Sequence, residues 1–399
     1  MPWRRFSWAD LPVMASGLLL LTGGVLLMVQ LAMGALWHGK QMKLCAAVFG
    51  VTQPNSTSLT VHNLISGAYQ KSLELRIGSR EPYYPFAIRM RDQVEYSLFG
   101  LSATPDVIIG NHRQLIEIAY IQDYCLRNLQ NFMAQAPDWA AAIKTMQDNA
   151  QARGQTFLYV ITPSKLAQYP EILPPHLNCP STETDRTQLV PQWAALVRQD
   201  GVHIVDTTAV LRAAAQNYPF PFFPRGGAHW NQAGAALATQ AIEAALEAQL
   251  HDGLLKPFTF TWQLSHHPMK ADVDLTILMN LMWTPDHFDT PLVTLHQPSK
   301  APDCKSLKIT IVGGSFMEHV GPLLSQLPCG ADVVQYFYWR SHRDVWHDGV
   351  DVIEPVDPAV RDADLLHADI IIYEENEGVL GRPAHGQAFY QWILAHPVK

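Results

Sequence analysis

Hydrophobic and polar positions divide the chain into three stretches. Leu11 to Trp37 is almost continuously apolar, with Gln30 its one strongly polar side chain and no charge. The run exceeds the roughly 20 residues that cross a bilayer. Arg4 and Arg5 before it predict a cytoplasmic N-terminus, against a weaker opposite vote from Lys40 and Lys43. A cleaved signal peptide competes, with Ala32-Met33-Gly34 as its cleavage site, but the apolar run is too long for a signal core. Residues 1–40 are therefore expected to form a cytoplasmic tip and a single uncleaved transmembrane anchor. Residues 41–105 read as a juxtamembrane linker, turn-rich at Pro54-Asn55-Ser56-Thr57. Two helices follow between Val61 and Leu98, broken near Pro82-Tyr83-Tyr84-Pro85.

From about Asp106 the pattern changes to short β-branched runs alternating with helical spacing. Strands are expected at Val107–Ile109, Phe157–Thr162, His203–Asp206, Lys308–Val312, Val333–Phe337 and Ile370–Tyr373. Helices such as Ala140 to Arg153 and Ala235 to Gln249 separate most of them. This alternation predicts an α/β fold over 106–399, a mainly parallel sheet with helices on both faces. Residues 251–304 interrupt the pattern with a helix, Ala271 to Met282, between Pro268 and Pro285. They read as an insertion walling a substrate groove, which Trp339, Arg340 and Trp346 are also placed to line.

The chemistry concentrates at two corners. Leu307 to Val312 is a strand, and Gly313-Gly314-Ser315 turns it into helical spacing from Met317 to Leu327, with Pro322 shortening that helix. Ser315 thus stands at the carboxyl end of a parallel strand, where open α/β sheets bind ligands. Backbone N–H groups at such a corner suit the oxyanion of a serine nucleophile. A plain capping box, Ser315-x-x-Glu318, fits the same residues, and Met317 excludes the Gly-x-Ser-x-Gly elbow. The second corner is Gly226-Gly227-Ala228-His229-Trp230-Asn231, before the helix Ala235 to Gln249. A helix N-terminus disfavours imidazolium, which leaves His229 neutral and available as a base. A solvated loop histidine is the competing reading.

Composition removes several function classes. A net charge of −8, with no basic cluster, argues against a nucleic-acid partner, and none is expected. The 17 histidines include no His-Glu-x-x-His and no zinc-spaced cluster, so no metal is expected. His266, His267 and His319 read as surface or packing residues. No Walker loop or Gly-x-Gly-x-x-Gly is present, and no cofactor is implied. Of five cysteines, Cys304 and Cys329 flank the serine strand and its returning helix at one sheet edge, and a disulfide is expected between them.

His229-Trp230 and Gly313-Gly314-Ser315-Phe316 together resemble the SGNH-like domain of bacterial polysaccharide O-acetyltransferases, the AlgJ/AlgX group of alginate acetylation. That group carries Asp-x-His-Trp early and Gly-Asp/Thr-Ser-Phe/Tyr late, permuting the usual SGNH order. The resemblance extends to Val107-Ile108-Ile109-Gly110 with Leu115-Ile116-Glu117, Ile161-Thr162-Pro163-Ser164-Lys165, Asp272-Val273-Asp274-Leu275 and Ile370 to Glu377. It implies periplasmic O-acetylation of an exopolysaccharide through an acetyl-serine on Ser315, with His229 as general base. It also implies a membrane-bound O-acyltransferase partner that supplies acetyl groups, and residence at the bacterial inner membrane. A carbohydrate acetylesterase and an inactive polysaccharide-binding scaffold are the alternatives.

One position departs from the group's pattern: Gly227 stands where its aspartate should be. The accounts open at this point are a Ser315–His229 dyad, a substitute acid from Glu374–Glu377 (Glu375 or Glu377 foremost) or Asp206, and an inactive protein. The dyad is the first expectation. Gly314, Asn376, Lys165, Trp230 and Arg340 are the candidates for oxyanion or substrate binding.

Overall fold

The computed structural model describes residues 57–80, 83–250, 257–268, 270–283, 287–299, 305–347, 349–381 and 383–398, with residue 255 and a few positions before 57. The predicted anchor, Leu11–Trp37, lies mostly outside them. Among the described residues no helix is long and apolar enough to cross a membrane. Contacts divide the chain into two units. One comprises residues 1–104 with 276–285, and the other 105–275 with 286–399. In the first, helices Ala68–Arg80 and Tyr83–Val94 stand where two helices were expected, and Arg89 Nη1 donates to the Leu281 carbonyl at 2.8 Å.

The second unit is built on a seven-stranded sheet. Its strands are β3 (Thr156–Thr162), β4 (Ile204–Asp206), β7 (Leu307–Gly313), β8 (Ala331–Phe337), β9 (His342–His347), β10 (Val350–Glu354) and β11 (Ile370–Asn376). They run in the order β10-β9-β8-β7-β11-β3-β4. The five from β4 to β8 are mutually parallel, as expected of strands joined by helices. β9 and β10 add an antiparallel edge that the pattern did not reveal, because β9 is largely polar and β10 is exposed, so neither carries an apolar run. The sheet is therefore mixed.

Both faces are covered, which explains the unbroken apolar runs of the central strands. Ile370 and Ile372 join Leu158, Val160, Ile309 and Ile311 on one face, under the helix Gln232–Leu250. Ile371 and Tyr373 join Phe157, Tyr159 and Ile161 on the other, under Leu129–Ala152 and Ala384–Ala395. Alanines at 233, 235 and 238 are fully buried in the first face, where small side chains let helix and sheet approach closely.

Three local expectations change. Val107–Ile109 (β1) does not enter the sheet; it pairs antiparallel with Leu115–Glu117 (β2). The 251–304 insertion is a two-stranded ribbon, β5 (Thr259–Ser265) with β6 (Thr290–His296). Instead of the helix Ala271 to Met282, it holds a 3₁₀ turn, Lys270–Val273, and one helical turn, Asp274–Leu278. Cys125 and Cys179 form a disulfide. Cys329 is also disulfide-bonded, while Cys304, its expected partner, lies outside the described residues.

Candidate active site

β7 ends at Gly313, and the chain turns through Gly314 into a 3₁₀ turn, Ser315–His319, then a single helical turn, Gly321–Leu324. Ser315 is inside the turn rather than at its cap, which is Gly314. The capping-box reading therefore fails, and the hydroxyl is left free for other partners. A Cβ at Gly313 would stand 2.8 Å from Glu374 Oε2, so glycine is required where the strand passes that carboxylate.

His229 precedes the helix Gln232–Leu250. Asn231 fixes the entry: its backbone N–H donates to Phe222 O at 2.7 Å, its Oδ1 accepts from Gly234 N–H at 3.1 Å, and its Nδ2 donates to Pro221 O at 2.8 Å. Across the sheet edge, His229 Nε2 lies 2.7 Å from Ser315 Oγ. Its Nδ1 lies 2.5 Å from Asp274 Oδ2. Asp274 Oδ1 accepts from the Ala228 N–H at 2.9 Å, tying the carboxylate to the loop it serves. A serine, an imidazole and a carboxylate in this order form the triad of a nucleophilic hydrolase or acyltransferase.

The acid is thus present, and both the bare dyad and the glutamate accounts are corrected. Asp274 comes from the insertion, immediately after a turn anchored by Thr290 Oγ1 donating to Asp272 Oδ2 at 2.9 Å. Gly227 is the counterpart of this arrangement. A Cβ there would stand 2.5 Å from Ala271 O and 3.1 Å from Asp272 O. The backbone that delivers Asp274 fills the space an aspartate at 227 would need.

The other carboxylates are structural props. Glu375 is buried on the far face, accepting from Trp139 Nε1 at 2.8 Å, Tyr159 OH at 2.9 Å and Tyr373 OH; burial pushes its pKa up to about 7. Glu377 accepts from Ser164 N–H at 3.1 Å and Ser164 Oγ at 2.5 Å, with Arg127 at 3.7 Å. Asp206 caps the helix Thr207–Ala214 through the N–H groups of Thr208 and Ala209. Glu374 accepts the Gly314 N–H at 2.7 Å, which removes that N–H from the oxyanion candidates.

Asn376 is occupied as well. Its amide donates to Thr162 Oγ1 and Pro163 O, and its Oδ1 accepts from Gly378 N–H, so it braces two strand ends. Lys165 neither reaches Ser315 nor faces solvent. Its Nζ donates to the carbonyls of Leu115, Pro224, Arg225 and Gly227 at 2.7–3.1 Å, clamping the histidine loop from behind. Burial lowers its pKa to about 7, with Asp274 pulling it upward. Trp230 is fully buried, edge-on to Phe316 with centroids 5.1 Å apart, so it supports the triad from below. Arg340 is exposed in a groove with Trp139 and Gln387, on the face covered by the helix Ala384–Ala395. Trp339 is buried against Phe389, whereas Trp346 does line a cavity, together with Glu318 and His319. His319 stacks on His229 with centroids 5.5 Å apart; burial and the neighbouring His229 drive its pKa down to about 3.

Two residues went unassigned by sequence reasoning. Asp274 was visible only as part of Asp272-Val273-Asp274-Leu275, without a role. Tyr338 follows β8, and its hydroxyl would stand 3.1 Å from a Cβ at Gly314, which places it beside the Ser315 corner. Its backbone and that of Trp339 adopt positive φ, 44° and 70°, which is strained for aromatic residues. The signal available was its place, directly after the strand end paired with Gly313.

The sequence profile of the SGNH hydrolase-like domain of the acetyltransferase AlgX matches residues 120–325. Among solved structures, the O-acetyltransferase domain of Pseudomonas putida AlgJ is 22% identical, with a TM-score of 0.46; the match covers 73% of this chain and 98% of that one. Pseudomonas aeruginosa AlgX is 13% identical, TM-score 0.46, with 71% of this chain and 65% of that chain covered. Bacillus cereus PatB1 is 11% identical, TM-score 0.40, covering 70% and 98%. No curated protein sequence matches.

Proposed function

This chain belongs to the family of the SGNH hydrolase-like domain of the acetyltransferase AlgX, whose profile spans just over half of it, and on that premise we propose that it O-acetylates an exopolysaccharide through an acetyl-serine on Ser315. The observation that carries the reading is the continuous contact from Ser315 Oγ through His229 to Asp274.

In the first half-reaction His229 Nε2 takes the Ser315 proton as Oγ attacks the acetyl carbonyl carbon of the donor. Asp274 holds the Nδ1–H tautomer and stabilises the imidazolium. His229 then returns the proton to the departing group as its bond to the acetyl carbon breaks. In the second, a sugar hydroxyl loses its proton to His229 and attacks the acetyl-serine, and Ser315 recovers a proton as it leaves. The Ser315 N–H and the Tyr338 hydroxyl, both at this corner, serve the oxyanion of both tetrahedral intermediates.

The acetyl donor is delivered by a membrane-bound O-acyltransferase, and the catalytic unit works on the periplasmic side of the inner membrane. The apolar run Leu11–Trp37 with Arg4 and Arg5 before it supports this placement. The Cys125–Cys179 disulfide supports an oxidising compartment. The inactive-scaffold reading drew its weight from the missing aspartate, and Asp274 removes that ground.

Cells carrying Ser315→Ala are expected to lose polymer acetylation at unchanged protein level. A serine-directed fluorophosphonate should label wild type but not Ser315→Ala. Full acetyl content in the variant would overturn the serine mechanism, and rapid acetate release without glycan would assign the site to an esterase.

A further inference from the structure

Beyond the triad, the same turn contributes to a second cluster. β9 carries His342 and Asp344 at alternate positions, hence on one face, and the Ser315–His319 turn brings Glu318 to them. His342 Nε2 lies 3.2 Å from Asp344 Oδ2 and 3.6 Å from Glu318 Oε1. The three ligand atoms lie within 4.8 Å of one another. His342 is held in this orientation by stacking on Phe337, centroids 4.4 Å apart.

Asp344 is only 2% exposed, and its Oδ2 meets hydrogen-bond geometry with no donor, having only the His342 ring nitrogen near it at 3.2 Å. Opposite it on β8, Gln335 is fully buried; its Nε2 donates to Gly314 O at 2.8 Å while its Oε1 is also without a partner. Buried acceptors without a well-aligned donor are costly and call for an explanation. An imidazolium between the carboxylates would be the ordinary one. Charged N–H···O pairs, however, close to about 2.7–2.9 Å, and neither contact here does. Ligand atoms held about 2.0–2.2 Å from a cation stand about 3.0–3.6 Å apart around it, which matches both measured separations.

We propose that Glu318, His342 and Asp344 bind a first-row divalent cation, Zn²⁺ foremost. One imidazole nitrogen with carboxylate oxygens is a borderline donor set of the kind such ions prefer. Glu318 and Asp344 also line a cavity of about 780 Å³ shared with His319, Gln232 and Asp351. Open coordination positions on the cation face that cavity, where an oxygen ligand such as a sugar hydroxyl can enter. Glu318 is three residues from Ser315 in the same turn, so the cation also braces the nucleophile's turn against β9. This inference is independent of the acetylation reading, since its test measures binding.

The full-length protein in detergent, stripped with chelator, is titrated with Zn²⁺ by calorimetry, and bound metal is counted by mass spectrometry. One ion per chain is expected, with a rise in Tm. His342→Gln and Glu318→Gln should each weaken binding at least tenfold; both side chains are partly exposed, so these variants keep the fold. His266→Gln, at an exposed histidine pair, should bind as wild type. No uptake at micromolar Zn²⁺, or equal uptake by His342→Gln, overturns the proposal. So does a protonated His342 imidazole in the presence of Zn²⁺, seen by NMR, which would assign the cluster to an ion pair.

Discussion

β11 and the 270–278 turn both bring carboxylates to the neighbourhood of the nucleophile, but by different physics. The central strand supplies Glu374 and Glu375, and Glu377 directly after it, all three buried. A carboxylate there can exist only if donors surround it, and each one's lone pairs are taken by Gly314, Trp139 with two tyrosines, or Ser164. Asp274 instead stands at the start of a single helical turn, with its side chain 29% exposed. One of its oxygens accepts the N–H groups of Ala228 and Leu275, and the other faces His229. The rigid strand thus shapes the nucleophile's corner, while an inserted turn supplies the acid.

The sharpest test of this division is a pair of isosteric variants. Asp274→Asn should lower acetyl transfer by about 10³–10⁴-fold, the cost of losing a triad carboxylate. Glu375→Gln should stay within about threefold of wild type. Polymer acetyl content and single-turnover transfer check both, and the reverse ranking would break the comparison. A smaller effect is expected from Gly227→Ala. Its Cβ would meet the Ala271 carbonyl at 2.5 Å, moving the turn and misplacing Asp274. A loss of about 10²-fold in transfer is the cost of such a displacement near the chemistry. Transfer unchanged in this variant would detach Gly227 from the acid's position.

A further effect is one of stability. Burial raises the Glu375 pKa from 4.5 to about 7. The folded state therefore binds more protons than the unfolded state between those values. The stability this group contributes is full below about pH 4.5 and lost as pH rises through 7, on the order of 3 kcal/mol. Glu375→Gln should remove that part of the slope. Urea denaturation of both proteins at pH 5 and pH 8 measures the difference, and identical slopes would reject it.

Much of this was readable along the chain. The parallel strands announced themselves because the cores of β3, β7 and β11 are buried on both faces and carry runs of apolar, β-branched residues. Ser315 and His229 announced themselves as glycine-flanked corners at strand and helix ends. The antiparallel edge, β9 and β10, did not, since Val350 to Glu354 is exposed and lacks an alternating face. Lys165 was misjudged for a related reason: nothing near it in sequence indicates that carbonyls from Leu115 to Gly227 converge on its amine.

The sequence by itself determined the α/β layering and singled out Ser315 and His229, because these depend on local periodicity and on which residues can occupy a tight corner. Only the tertiary structure decided which acid completes the triad. Asp274 lies 45 positions from His229, and no local pattern encodes that contact. The choice follows from excluded volume at Gly227: one stretch of backbone can occupy that space, and the one that does is the turn leading into Asp274.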